Sequence, residues 1–116
     1  MLILPLELKA FIAAEPVHFG KSIDGLAQLV QTVLLQDPFS RHLFVFRNRT
    51  CNKVKVLYWD RNGFCLWQKR LEIGRFNFLR QENNYVIDAA ELGYLLEGVD
   101  FCQTKNLPNI RYRAVC

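Results

Sequence analysis

The residues of this chain best suited to chemistry are cations. Ten of its fifteen lysines and arginines fall between positions 41 and 80: Arg41, Arg47, Arg49, Lys53, Lys55, Arg61, Lys69, Arg70, Arg75 and Arg80. Only Asp60 and Glu72 oppose them, so ten positive charges against two negative leave this middle third at +8. Residues 1–40 and 81–116 each carry −2, which gives the whole chain its +4. Cations gathered in this way neutralise phosphates and release counterions. The resulting affinity depends on salt and is largely indifferent to base sequence. Such asymmetry is an argument about partners rather than about fold. Aromatic residues Phe44, Phe46, Tyr58, Trp59, Phe64 and Trp67 are interleaved with the cations. At strand period, side chains of this kind fill a sheet's core, and that is the reading adopted for them.

Other chemistries find less support. The two histidines, His18 and His42, have no metal-ligand spacing, and both read as surface residues or supports for a neighbour. Cys51 or Cys65 with His42 would make a nucleophilic pair, but no third group orients it. The four cysteines, Cys51, Cys65, Cys102 and Cys116, show neither zinc-knuckle nor C-x-x-C spacing. Buried or incidental thiols in a reducing compartment are the expectation. Asp24, Asp37, Asp60 and Asp88 are scattered, and each has simpler work at a helix end or turn than in a metal-dependent nuclease. The six glycines form no phosphate cradle. The chain is therefore expected to have no catalytic residues, no metal and no cofactor.

Positioning the cations requires strands. Leu8–Ala13 reads as a short strand, left at Glu15-Pro16. Ile23, Leu26, Ala27, Val30, Val33 and Leu34 recur at helical spacing, predicting a helix over 22–36 stopped by Asp37-Pro38. The period then changes. Strands are predicted over 42–47, 53–59 and 64–71, with Asp60-Arg61-Asn62-Gly63 as the tightest turn. Asn62-Gly63 is expected to supply its positive-φ residues. A two-residue loop and a three-residue loop with a bulge both remain open, and with them the register. Arg75–Phe78 and Tyr85–Ile87 suggest two further short strands. Asp88-Ala-Ala-Glu91 spells a capping box opening a helix over 88–97, with Leu92, Leu95, Leu96 and Val99 inward and Gly98 as its stop. The stretch from Gln103 to Cys116 offers few periodic cues.

A chain of 116 residues, 51% hydrophobic and 22% charged, is long enough for one domain with a real core. Its composition is not that of a disordered chain. Met1–Glu7 lacks the basic flank and cleavage site of a signal peptide, and no run is long enough to span a membrane. A cytoplasmic location is expected. The fold expected is α+β: a single domain over 1–116 with an antiparallel sheet of three to five strands and both main helices packed on one face.

Several ordered blocks go further than composition. Asp24-Gly-Leu26, Leu29-Val30, Asp37-Pro-Phe-Ser40, Leu43-Phe-Val-Phe-Arg-Asn-Arg49, Lys55-Val-Leu-Tyr-Trp-Asp60, Asn62-Gly-Phe64, Lys69-Arg-Leu-Glu72 and Gly74-Arg-Phe76 stand in a consistent order and spacing. Over residues 16–100 the chain resembles the small TnpB-type accessory protein encoded by the second reading frame of certain bacterial insertion sequences. That family is distinct from the RNA-guided nucleases sharing the label. The family pattern Asp-Met-Arg-Lys is replaced here by His18-Phe19-Gly20-Lys21, and its later aromatic–proline pair by Phe78-Leu79. The resemblance implies a non-catalytic role beside a separate transposase that performs the strand transfer. It brings no catalytic residues to carry over.

Charge and resemblance together give one expectation: a basic β-hairpin surface of Arg47, Arg49, Lys53, Lys55, Arg61, Lys69, Arg70 and Arg75 contacting DNA backbone, the cognate transposase or both. The alternative is a protein–protein module, docking a transposase or a second copy of itself, with no direct nucleic-acid contact.

Overall fold

The computed structural model describes residues 8–78 and 83–98. The expectations for Met1–Glu7, Leu79, Arg80, Val99, Cys102 and the stretch from Gln103 lie outside them. In chain order the elements are β1 (Lys9–Ile12), α1 (Ile23–Thr32), β2 (Leu43–Arg47), β3 (Lys53–Asp60), β4 (Gly63–Arg70), β5 (Tyr85–Asp88) and α2 (Ala89–Glu97). The strands form one sheet in the order β4-β3-β2-β1-β5. This is the α+β class anticipated, with two corrections.

The sheet is mixed rather than antiparallel. β1 lies parallel to β2, with Phe11 opposite Phe44, while the remaining pairs are antiparallel. Two adjacent parallel strands need a crossover between them, and α1 supplies it.

The helices also lie on opposite faces, not on one. Alternation along β2 explains this. Leu43 and Val45 join a core with Val54, Val56, Phe76, Phe78 and α2's Leu92, Leu95 and Leu96. Phe44 and Phe46 join the other core, with Leu57 and α1's Leu26, Val30 and Leu34. An apolar run unbroken from residue 43 to 46 needs cover on both sides, so each face receives one helix. At ten residues α1 would be marginal alone. Burial of Leu26, Val30 and Leu34, about 1.5–3 kcal/mol each, holds it in place.

Local detail departs from expectation in three places. α1 stops at Thr32, four residues early, because Leu35 takes left-handed backbone (φ 55) and Gln36 N–H turns back to Val30 O at 3.0 Å. Val33 is thereby 44% exposed rather than inward. Arg75–Phe78 makes only an isolated bridge at Arg75, not a strand. The β3–β4 loop has two residues, Arg61 and Asn62, since Asp60 pairs with Gly63. Its positive φ (56°) falls on Arg61, not on Asn62 or Gly63, with Asn62 N–H bonded back to Asp60 O. The capping box is present: Glu91 N–H donates to Asp88 Oδ1 at 2.8 Å and Asp88 N–H to Glu91 Oε1 at 3.2 Å. Gly98 closes α2 at φ 78.

Left-handed backbone costs a Cβ-bearing residue about 1–2 kcal/mol, and glycine avoids that at some entropic cost of its own. Arg61→Gly is therefore expected to raise stability by about 0.5–1 kcal/mol, read as a higher urea midpoint; an unchanged or lower midpoint would show that the arginine is not strained there.

Candidate nucleic-acid interface

The eight cations singled out from the sequence do not share one surface. β3 and β4 pair Lys53 with Arg70, Val54 with Lys69 and Leu57 with Leu66. Directly paired residues point to the same face and alternate along each strand. Lys53, Lys55 and Arg70 therefore point to the α1 face, and Lys69 to the α2 face. Arg47, in step with Val45, is also on the α2 face.

Three of the eight have internal work. Arg47 donates from Nη2 to Ala14 O at 2.8 Å and from Nη1 towards Asn48 O and Cys51 Sγ at 3.4 and 3.5 Å, with its guanidinium 5.8 Å from the Phe78 ring centre. Burial pulls its pKa below the usual arginine value, against the pull of Glu15 and Tyr85. It ties β2 to the exit of β1. Lys55 is only 7% exposed; its Nζ donates to Phe19 O at 2.9 Å and Lys21 O at 3.1 Å and sits 4.8 Å from the Phe19 ring centre. It fastens the β1–α1 connection to the sheet. Lys69 Nζ donates to Leu96 O at 2.9 Å, satisfying a carbonyl of α2's last turn, where a cation also meets the negative end of the helix dipole. Arg61 stands apart as well, exposed in the hairpin loop at the opposite end of β3 and β4 from Lys53 and Arg70.

The remaining four converge at one end of the sheet. Arg49 is exposed on the β2–β3 loop, which Asn48 braces from within. Asn48 Oδ1 accepts the N–H groups of Asn52 (3.2 Å) and Lys53 (3.1 Å), while its Nδ2 donates to Asn52 Oδ1 (2.6 Å). Cys51, buried in this loop at φ 57, is disulfide-bonded, which corrects the expectation of a thiol; Cys65 is free and half-buried. Lys53 and Arg70 lie side by side across β3 and β4. Arg70 also makes an exposed two-pronged pair with Glu72, at 2.8 and 3.1 Å. That bond holds the Glu72 carboxyl below the usual carboxylate range. Glu72 therefore releases Arg70 only as pH falls through that lowered value. The pair is solvent-exposed and screened by salt, so it restrains Arg70 weakly. Arg75 is exposed beyond β4 and already engaged in an interaction of its own.

Sequence reasoning missed Lys21. Lys55 draws the 19–21 segment onto β3, so Lys21, exposed, joins the α1 side of this same end. Among the described residues its neighbour Lys55 bonds to carbonyls and to no carboxylate, so its charge still contributes to the local field. Glu15, whose charge acts on Arg47, and Glu72, bonded to Arg70, are acids at this end. Among the described residues no group of three or more His, Cys, Asp or Glu side chains is arranged to hold a metal. No helix among them is long and apolar enough to cross a membrane.

Comparison with known proteins now adds identity. The model of the IS66 Orf2-like proteins (TnpB_IS66) matches residues 8–106. The chain belongs to the IS66 Orf2-like family. This IS66 Orf2-like protein is 34% identical over 102 residues to the uncharacterised protein y4jC of Sinorhizobium fredii, covering 87% of each chain. It is 38% identical over 95 residues to the uncharacterised protein y4hO of the same organism, covering 81% of this chain and 83% of that one. No solved structure matches. The family places the IS66 Orf2-like protein among insertion-sequence accessory proteins, as the ordered sequence blocks implied.

Proposed function

We propose that this protein is a non-catalytic accessory factor of transposition that holds DNA by its backbone at the end of the sheet carrying Lys21, Arg49, Lys53 and Arg70. The observation supporting this most is the cross-strand pair Lys53–Arg70, a half-buried and an exposed cation side by side on the α1 face. Lys21 and Arg49 stand on the flanking loops, and the Lys55 ammonium lies close behind. Compared with the eight-residue hairpin surface expected from sequence, the interface is smaller and includes one residue not foreseen. Arg47, Lys55 and Lys69 support it from the interior. Phosphate contact by a few such groups gives modest, salt-sensitive affinity without base readout. A fluorescent DNA duplex is expected to bind at about 50 mM salt and to be released by a few hundred millimolar. Folded protein that leaves the duplex free at the lower salt would remove the reading.

One observation favours a second reading, docking of the transposase or another copy of this chain. Phe39 is 54% exposed and packs on Trp59 and Phe64, with ring centres 5.0 and 5.3 Å away. This aromatic cluster lies on the α1 face near the β3–β4 loop, at the other end from the cations. Retention of a co-expressed transposase that is lost in Phe39→Ser, with duplex binding intact, would establish docking there.

A further inference from the structure

We propose that the cleft between residues 16–19 and 48–50 is an oxyanion pocket that seats a backbone phosphate, with Arg49 and His18 as its donors. The inference rests on the reading of this end of the sheet as the DNA-contacting one, and it adds a specific seat to a diffuse charged surface.

The cleft exists because the chain keeps pairing after β1 ends. Ala13 N–H bonds to Val45 O at 3.0 Å and Val17 N–H to Arg47 O at 2.9 Å, which lays residues 16–19 beside the β2–β3 loop. Between them is a space of about 350 Å³ lined by Pro16, Val17, His18, Phe19, Asn48, Arg49 and Thr50. That is at the small end of ligand-site volumes. The side chains lining it are not equally available. Asn48 is committed to bracing its own loop, and Thr50 Oγ1 donates to Asn52 Oδ1 at 2.9 Å. Pro16, Val17 and Phe19 are apolar. The groups left for a ligand are Arg49, whose guanidinium bonds to none of the described residues, and His18.

His18 lines the cleft. Its Nδ1 accepts the Gly20 N–H at 3.1 Å, which leaves the ring proton on Nε2 as a donor. Gly20 permits this fold-back, since a Cβ there would lie 3.1 Å from the imidazole. Arginine offers donors only. A site with two donors and no uncommitted side-chain acceptor selects an anion, and the arginine fork suits a phosphate. Lys55, 4.8 Å from the Phe19 ring on the cleft wall, adds an unneutralised positive charge. The contrast with the cleft on the other side of the loop is informative. That space, about 370 Å³, has the Glu72 carboxylate beside Arg75, so it offers an acceptor as well as a donor and does not select for an anion.

The experiment titrates isotope-labelled protein with inorganic phosphate and, separately, with a dinucleotide joined by a phosphodiester, following backbone amides by NMR. Amides of residues 17–20 and 48–50 are expected to shift saturably with both, while those of 71–75 stay. Arg49→Ala abolishes the shifts. So does His18→Asn, whose Oδ1 still accepts the Gly20 N–H while the distant donor is lost. Each variant is expected to bind duplex about three- to tenfold more weakly. Shifts with inorganic phosphate alone would overturn a backbone occupant, and His18→Asn behaving as wild type would overturn the role of His18. Absence of shifts in the wild type, with duplex still held through Lys53 and Arg70, would overturn the pocket and leave the interface standing. Absence of duplex binding as well would overturn the interface itself.

Discussion

Lys55→Met is expected to lower stability by about 2–3 kcal/mol, far more than any exposed lysine. Methionine keeps the aliphatic stem and fills nearly the same space, so little is lost in packing. What goes is the ammonium that bonds Phe19 O and Lys21 O and lies against the Phe19 ring. Hydrogen bonds to a charged donor contribute about 1.5–3 kcal/mol, and partners stranded out of water cost about 1–3 kcal/mol more. Regained hydration of the carbonyls offsets part of this, which is why the expected figure stays near the lower end. With a denaturant slope of about 1–3 kcal/mol per molar urea, the midpoint falls by about 1 M or more. Lys53→Met, on the same face but without such bonds, is expected to change it by less than about 0.5 kcal/mol. A Lys55→Met midpoint as high as the wild type's would mean that the segment before α1 does not depend on this lysine.

The second large effect concerns binding. Lys53→Glu/Arg70→Glu is expected to weaken duplex affinity by about a hundredfold at about 50 mM salt, since each lost phosphate contact is worth roughly a factor of ten there and the new carboxylates repel. Neither side chain belongs to a core, so the fold should persist, with a circular dichroism spectrum and urea midpoint close to wild type. Arg61→Gly, at the far end of the hairpin, is expected to change affinity less than about threefold. Equal losses from both variants would point to a diffuse net-charge effect instead of a defined surface.

Much of the fold was legible because local rules and tertiary packing agree. The switch from helical spacing at Ile23–Leu34 to strand character at Leu43 fixed the boundary between α1 and β2 within a few residues. Asp88 and Glu91 announced α2 because a capping box is a local bond pattern with a local sequence. The errors arose where the answer is not local. Leu43–Phe46 could be recognised as a strand, but which side each residue faced depended on finding cover for both. Assigning both helices to one face left Phe44 and Phe46, or Leu43 and Val45, without a core. Arg61 shows the same limit on a smaller scale: Asn62-Gly63 is a strong turn signal, yet the pairing of Asp60 with Gly63 put the strained position one residue earlier.

The cationic site was legible as composition and not as geometry. Ten cations in forty residues signalled a basic region, but charge counts do not distinguish Lys53, half-buried at the sheet's end, from Lys55 two residues on, buried and bound to two carbonyls. Arg47 and Lys69 reach carbonyls 33 and 27 residues away in sequence. Contacts of that range leave no periodic mark. Lys21 and His18 were not grouped with the cations for the converse reason, since they reach this end of the sheet only after Val17 pairs with Arg47 and the 18–21 segment docks on the sheet.

The most direct test is the slope of log affinity against log salt for duplex DNA, compared between the wild type and Lys53→Ala/Arg70→Ala. Three or four phosphate contacts predict a wild-type slope near −3, shallower by about 2 in the double variant. Identical slopes, or a wild-type affinity indifferent to salt, would contradict DNA contact at this end of the sheet.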